Sequence, residues 1–359
     1  MNFITFVTYV TLVLTAIVFG LMVVIAVLNL ASERRVAVNG SLRSRMLPIL
    51  QHYLAGNASV EAVLNELKRD REMALECLVE TASGLPLAER PRLHPFLEPF
   101  QFERRMMDEV KSRNWSKCIR AATHLGFTGN RECVPALLQA LEDEMLDVRI
   151  AAARALAQLG VGEAVEPILR SLALPGMLPQ QNTAEILCEM KEAAVEPLLR
   201  FLRENGQEEE GSALAVALRV LGLLKVDKAT PEIMQLLKHP DSEVRLNGAR
   251  TLGLIGAQTA LAGLCQVALD PVWQVRSSAV QALGCIKDAR AIHPLTVALG
   301  DPAWWVRFNA AQALYELGGE GIEVLKKAMV GNPDAFARDV SRQILEERGV
   351  IAAEGGTKP

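Results

Sequence analysis

Residues 270–287, DPVWQVRSSAVQALGCIK, and residues 301–318, DPAWWVRFNAAQALYELG, repeat one pattern 31 positions apart. Two further copies read HPDSEVRLNGARTLGLIG at 239–256 and DEMLDVRIAAARALAQLG at 143–160. Arg149, Arg245, Arg276, Arg307 and Arg338 align as anchors, and degenerate copies sit at Cys118, Gln180 and Leu214. Every spacing is then 31 residues except that from Gln180 to Leu214, which is 34. The three additional residues fall in the acidic turn around Glu208, Glu209 and Glu210.

The columns of this alignment carry physics. Seven residues after each anchor stand Leu125, Leu156, Leu187, Leu221, Leu252, Leu283, Leu314 and Leu345. Three after it the residue is small: Ala121, Ala152, Thr183, Ala217, Gly248, Ala279, Ala310 or Ser341. Offsets of −1, +3, +7 and +10 share one helical face, so each unit holds a helix with a close-approach point and a leucine knob. At offset +11 five units carry glycine and three carry lysine, a position suited to a left-handed helix cap. Asp270–Pro271 and Asp301–Pro302 read as an N-cap followed by proline at the first helical position.

An earlier helix is visible in VPALLQAL (134–141), VEPILRSL (165–172), VEPLLRFL (195–202) and IHPLTVAL (292–299). Each unit is therefore a helical hairpin that cannot bury its apolar face alone, and stacking is forced. The expected fold is all-α, an α-solenoid of about eight hairpins over residues 103–349. Neither the tetratricopeptide tryptophan–leucine–glycine–tyrosine pattern nor the ankyrin TPLH turn is present. The four quoted strings resemble HEAT repeats of the short bacterial type also found in phycobilin lyase subunits. That resemblance implies that Asp143, Asp270 and Asp301, with Arg149, Arg276 and Arg307, form a hydrogen-bond ladder between repeats.

Outside the array the chain changes character. No charged side chain precedes Glu33, and residues 3–31 are apolar enough to span a hydrocarbon core as a helix. A cleaved signal peptide would want a basic n-region, a shorter apolar stretch and a small-x-small cleavage site, which are not evident. Residues 1–32 are thus expected to be a transmembrane anchor. Arg34, Arg35, Arg43 and Arg45 follow it, which orients a single-pass protein of a bacterial inner membrane with its N-terminus outside and its solenoid cytoplasmic. Residues 33–102 read as a helical neck or degenerate N-terminal cap, and residues 350–359 as a flexible tail.

Catalytic signals are missing. The five histidines form no HExxH and no histidine–glutamate pair, so the iron sites of HEAT-type hydroxylases have no counterpart. Six cysteines show no CxxC spacing and read as buried free thiols in a reducing compartment. No metal or cofactor is implied. A net charge of −4 argues against gripping a phosphate backbone, so no nucleic-acid partner is expected.

What remains is the inner surface. Offsets −2, +1 and +5 on the second helix point away from its buried face. They nominate Ile150, Arg154, Arg219, Leu246, Arg250, Gln281, Phe308 and Gln312 as partner-binding residues. The +1 residues read equally as half-buried contacts between neighbouring helices. Trp273 and Trp304 share a column, the mark of packing, whereas Trp305 one place on is the candidate anchor for a partner. The sequence thus points to a non-catalytic, membrane-tethered scaffold or adaptor, whose protein partner is an integral membrane complex such as a secretion or polysaccharide-synthesis machine. The alternative is a lyase-like or chaperone-like subunit acting on a cofactor-bearing protein. A reporter fused after Pro359 is expected on the cytoplasmic side, and an active periplasmic alkaline phosphatase at that position would invert the topology.

Overall fold

The computed structural model describes residues 42–172, 180–206 and 211–351, together with Met22 and Gly40. The expected membrane anchor, the acidic turn at Glu208–Glu210 and residues 352–359 of the tail lie outside them. Among the described residues no helix is long and apolar enough to cross a membrane, and no strand occurs. The chain divides into two compact units, one running to Asp108 and including Phe127–Asn130, the other made of Glu109–Gly126 and everything from Arg131 onwards.

The first unit opens with helix α1 (42–54), α2 (Val60–Leu67) and α3 (Arg71–Ser83). Their starts are chemically specified. The Ser59 hydroxyl accepts from the Ala62 amide, and the Asp70 carboxylate accepts from the amides of Glu72 and Met73. Pro86, Pro91, Pro95 and Pro99 then prevent a long helix, leaving 3-10 turns around the short α4 (His94–Leu97) before α5 (Phe102–Glu109). Met46, Leu50, Val63, Leu67, Leu93 and Phe96 form the core, with Tyr53 set edge-on to Phe96 at 4.8 Å between ring centroids.

The second unit follows the 31-residue period. After α6 (Trp115–Thr128) come the pairs α7 (Val134–Ala140) and α8 (Leu146–Gln158), α9 (Val165–Leu172) and α10 (Gln180–Cys188), and α11 (Glu192–Asn205) and α12 (Ser212–Leu223). They continue as α13 (Thr230–Leu236) and α14 (Ser242–Ile255), α15 (Leu261–Val267) and α16 (Trp273–Ile286), α17 (Ile292–Ala298) and α18 (Trp304–Glu316), and α19 (Gly319–Gly331) and α20 (Ala335–Glu347). All eight leucines of the +7 column are fully buried at 0 % exposure, and every small residue of the +3 column is buried with them. The knob and the close-approach point therefore face the core together.

The helix ends obey one rule with two chemistries. All eight residues at offset +11 take a positive φ, from 64° to 80° at Gly129, Gly160, Gly256, Gly318 and Gly349, and 51°, 52° and 55° at Lys191, Lys225 and Lys287. The turn demands a positive φ, which the three lysines adopt against their own Cβ; Lys287 and Gly256 are left-handed helical, whereas Lys191 and Gly318 pair the positive φ with a ψ of −127° and −141°. The starts differ from expectation. Asp270 and Asp301 are not N-caps of α16 and α18, which begin at Trp273 and Trp304. Their carboxylates instead accept from the amides of Val272 and Ala303, bracing the turn that holds the proline.

A ladder between repeats of the kind the resemblance implies runs through Asp270, Arg276 and Asp301, with Arg245 as a further rung. Each arginine reaches the aspartate of the next unit, 25 residues on: Arg245 donates to both oxygens of Asp270 at 2.7 and 3.1 Å, and Arg276 to both of Asp301 at 2.7 and 2.9 Å. The remaining guanidinium nitrogen closes the turn on its own side, as Arg276 does on the carbonyls of Asp270 and Pro271. Arg307 donates to the carbonyls of Asp301 and Pro302 in that second role, Arg149 donates likewise to those of Asp143 and Glu144, and Asp143 serves as a turn acceptor for the Met145 amide. Burial would raise the carboxyl of Asp270, but hydrogen bonds from Arg245 and the Val272 amide, with the charges of Arg245 and Arg276, hold it below its usual range. The stability it adds is fully present above about pH 4 and is lost as pH falls through its lowered value.

Two substitutions of opposite sign test this packing in the full chain. Leu283→Ala should cost about 2–5 kcal/mol through the cavity left behind a buried knob. Lys287→Gly should add about 1 kcal/mol by relieving a left-handed residue. Denaturation midpoints read both, and a stabilised Leu283→Ala or a destabilised Lys287→Gly would contradict the assignment.

Candidate partner-binding face

Consecutive second helices touch almost backbone to backbone. A Cβ built on Gly253 would stand 2.7 Å from Ala282 Cα, and one on Gly284 would stand 2.7 Å from Ala313 Cβ. Gly126 faces Ala155 in the same way, at 2.7 Å from its Cα. In each case offset +8 of one unit meets offset +6 of the next. The first helices touch their neighbours far less. The second helices thus form one closely spaced layer, whose outward side is the face that the sequence reading names the inner surface.

On that face the nominated residues fall into three kinds. Ile150, Leu246 and Phe308, from the +1 column, are half-buried. Arg154, Arg250 and Gln281 are exposed, whereas Arg219 and Gln312 are half-buried. Arg250, Gln281 and Gln312 line one groove of about 340 Å³, whose floor is Gly253, Ala282 and Ala313. Arg219 neighbours Arg250, since its like charge helps to lower the Arg250 guanidinium. Ile150 and Arg154 on α8 are set apart from this group by α10.

The periodic reading missed the next turn of the same face. Offset +9 presents Leu223 and Leu254, 51 % and 42 % exposed, then Cys285 and Glu316. Its signal was available, because +9 lies one helical turn beyond +5. Cys285 and, in part, Cys188 and Cys265 are accessible, so the six thiols are not uniformly buried as expected. Trp273 and Trp304, read as packing residues, are 39 % and 44 % exposed, beside Trp305 at 53 %. Trp304 stacks on Phe308 at 5.0 Å and meets Trp305 edge-on at 4.7 Å, which makes one aromatic cluster at the start of α18.

Electrostatically the face is unbalanced. Arg154, Arg219 and Arg250 make no hydrogen bond or ion pair with any described residue. Burial, then the charge of Arg219, lower the Arg250 guanidinium from its ordinary value. Glu189 is raised by burial, against the opposing pull of Arg154. Burial in the groove, and then the charge of Glu316, push the Cys285 thiol up, which makes it a poor nucleophile. No group of three or more metal-ligating side chains occurs among the described residues. A second groove of about 570 Å³ lies along α15 and α17, but its charged walls, Arg276 and Asp301, already satisfy each other.

The sequence profile of HEAT repeats matches residues 105–175, 195–284 and 262–346, more than half of the chain. The chain belongs to the HEAT-repeat family. Among curated proteins none is similar in sequence. Solved structures similar to this HEAT-repeat chain include one from the complex of CpcE and CpcF of phycocyanin lyase from Nostoc sp. PCC7120, at 24 % identity over 62 % of this chain and 92 % of that one, with a TM-score of 0.33. Another is human deoxyhypusine hydroxylase in complex with glycerol, at 16 % identity over 78 % and 97 %, with a TM-score of 0.30. A third comes from the complex of Kap95p with RanGDP, at 10 % identity over 80 % and 47 %, with a TM-score of 0.47. None of these assigns a partner or a reaction to this chain. HEAT repeats themselves imply a protein-interaction scaffold.

The floor of the inner groove gives a direct test. Gly253→Ala gains about 1 kcal/mol of helix propensity but forces two backbones apart, an overpacking cost of about 1–3 kcal/mol. A net loss of stability is expected, while Gly331→Ala, whose Cβ meets nothing within 4 Å, should be neutral or stabilising. Equal gains at both sites would show that the second helices do not approach as described.

Proposed function

We propose that this protein is a non-catalytic, membrane-tethered scaffold that binds a partner protein on the inner face of its HEAT repeats. The observation that carries the reading is the set of arginines on that face, Arg154, Arg219 and Arg250, none hydrogen-bonded or ion-paired to a carboxylate of the described residues in a protein that pairs so many of its other arginines. A guanidinium held in a partly desolvated place without a counter-ion is costly in the free protein and favourable once a partner supplies the charge. Exposed aromatics at Trp304 and Trp305 add apolar area of the kind that anchors interfaces. The tether rests on the apolar run of residues 3–31, which would hold the repeats beside a partner in the same membrane.

Affinity purification of the full chain from membranes, with identification of what co-elutes, tests the reading. Reversing Arg154, Arg219 and Arg250 to glutamate together should abolish the association while circular dichroism stays unchanged. Trp305→Ala should weaken it. Arg200, exposed on α11 among the first helices, is the charge control; Arg170 is unsuited because it also donates to Asn205. Release by Arg200→Glu with retention by the triple variant would move the binding surface to the other layer.

A further inference from the structure

Two consecutive second helices carry the same pair of residues at the same height. Helix α12 presents Arg219 and, one turn on, Leu223; helix α14 presents Arg250 and Leu254. Both leucines are exposed large hydrophobics, and neither arginine has a protein partner. Of the carboxylates on the neighbouring parts of the face, Glu185 is engaged by the Gln181 amide at 3.0 Å and Glu243 by the Gln180 amide at 2.8 Å, while Glu189 feels the charge of Arg154. The result is a square of two cations along one edge and two leucines along the other. Gln281 and Gln312 prolong the polar edge into the adjoining groove.

The dimensions of this square select an occupant. Packed helices stand about 8–10 Å apart, so the two guanidinium stems and the two leucines repeat at that distance. An α-helix rises about 1.5 Å per residue, so residues seven apart lie about 10.5 Å apart on one face. A helix laid across α12 and α14 would bring carboxylates at i and i+7 to Arg219 and Arg250. Its side chain at i+4 would drop between Leu223 and Leu254. A phosphate polymer fits less well, because it offers nothing to the leucines and needs a continuous run of cations.

Resting on the reading of the inner face as the binding surface, we propose that Arg219, Leu223, Arg250 and Leu254 form a docking square for an acidic amphipathic helix of the partner, with carboxylates seven residues apart and an apolar residue between them. The guanidinium pair supplies charge-assisted hydrogen bonds to the carboxylates, and their mutual repulsion is relieved when the acids arrive. The leucines supply the buried area.

The test uses the full chain in detergent and fluorescence anisotropy of a labelled synthetic helical peptide, with glutamate every seventh residue and leucine four residues after each. It should bind, and replacing its glutamates by glutamine should weaken binding at least about tenfold. Arg219→Glu with Arg250→Glu should impose a similar loss, and a lysine version of the peptide should then prefer this variant over the wild type. Leu223→Ala with Leu254→Ala should weaken the glutamate peptide without altering its charge dependence. Equal binding of the glutamate and glutamine peptides, no binding of either, or preference for a single-stranded oligonucleotide would overturn the docking square. If the peptide fails while the triple arginine variant still loses the membrane partner, the inner face stands and the acidic helix falls. If neither responds to the arginines, both fall.

Discussion

The repeat array depends on one distance, that between consecutive second helices. Gly253 against Ala282, and Gly284 against Ala313, remove the side chains that would otherwise hold these helices apart, so the backbones of α14 and α16, and of α16 and α18, come nearly into contact. Several features follow from that approach. With no room between the second helices, the leucine of each unit must enter the layer between first and second helices, where all eight are fully buried. The inner face is then left with the residues that point straight outwards, the rows at +5 and +9. The groove floored by Gly253, Ala282 and Ala313 is the visible trace of the missing side chains.

Within a unit, nearly everything was legible in the sequence. A leucine every 31 residues, a small residue four before it and a left-handed cap four after it define a helix, its buried face and its end. The conformation proved stronger than the residue type, since Lys191, Lys225 and Lys287 bend as their glycine counterparts do. Between units the period was a poorer guide. A repeat says which residues are equivalent, not which touch; contacts join different columns, arginine to the aspartate 25 residues on and glycine to the alanine 29 residues on. That is why Asp270 read as a cap when it is the far end of an arginine clamp. Nor does the period single out the contact of Gly253 with Ala282 or of Gly284 with Ala313. The exposure of Trp273 and Trp304 escaped for a related reason, because a shared column marks equivalence and does not decide burial.

Overall charge concealed the character of the inner face. A chain of net charge −4 carries a patch where cations outnumber available acids, because its acids are committed elsewhere. Asp270 and Asp301 hold the ladder, Glu166 and Glu232 pair with arginines of the first helices, and Glu185 and Glu243 are held by glutamine amides. Residues that hold the fold and residues left for a partner are thus separable by what they bond to, although they are the same amino acid. Arg245 and Arg276 are saturated; Arg219 and Arg250 are not. HEAT repeats explain the first pair, whereas only the surface of this particular chain explains the second.

The ladder also stops before the array does. The acceptor that Arg307 would reach is occupied by Asn332, so its guanidinium lies over the Phe336 ring at 4.8 Å, with a buried Nε that no acceptor meets. In an array held by nearest-neighbour couplings, the joints need not be equally strong. Beside its apolar packing, the last hairpin, α19 with α20, has a cation–ring contact where the two joints before it each have a two-pronged ion pair. Acid or salt would loosen the earlier joints towards the strength of the last one, whereas at neutral pH the chain has a soft end. Pulled or warmed from its C-terminus, such a chain opens like a zipper with one loose tooth: a single hairpin peels away, and the first ion-paired joint halts the break.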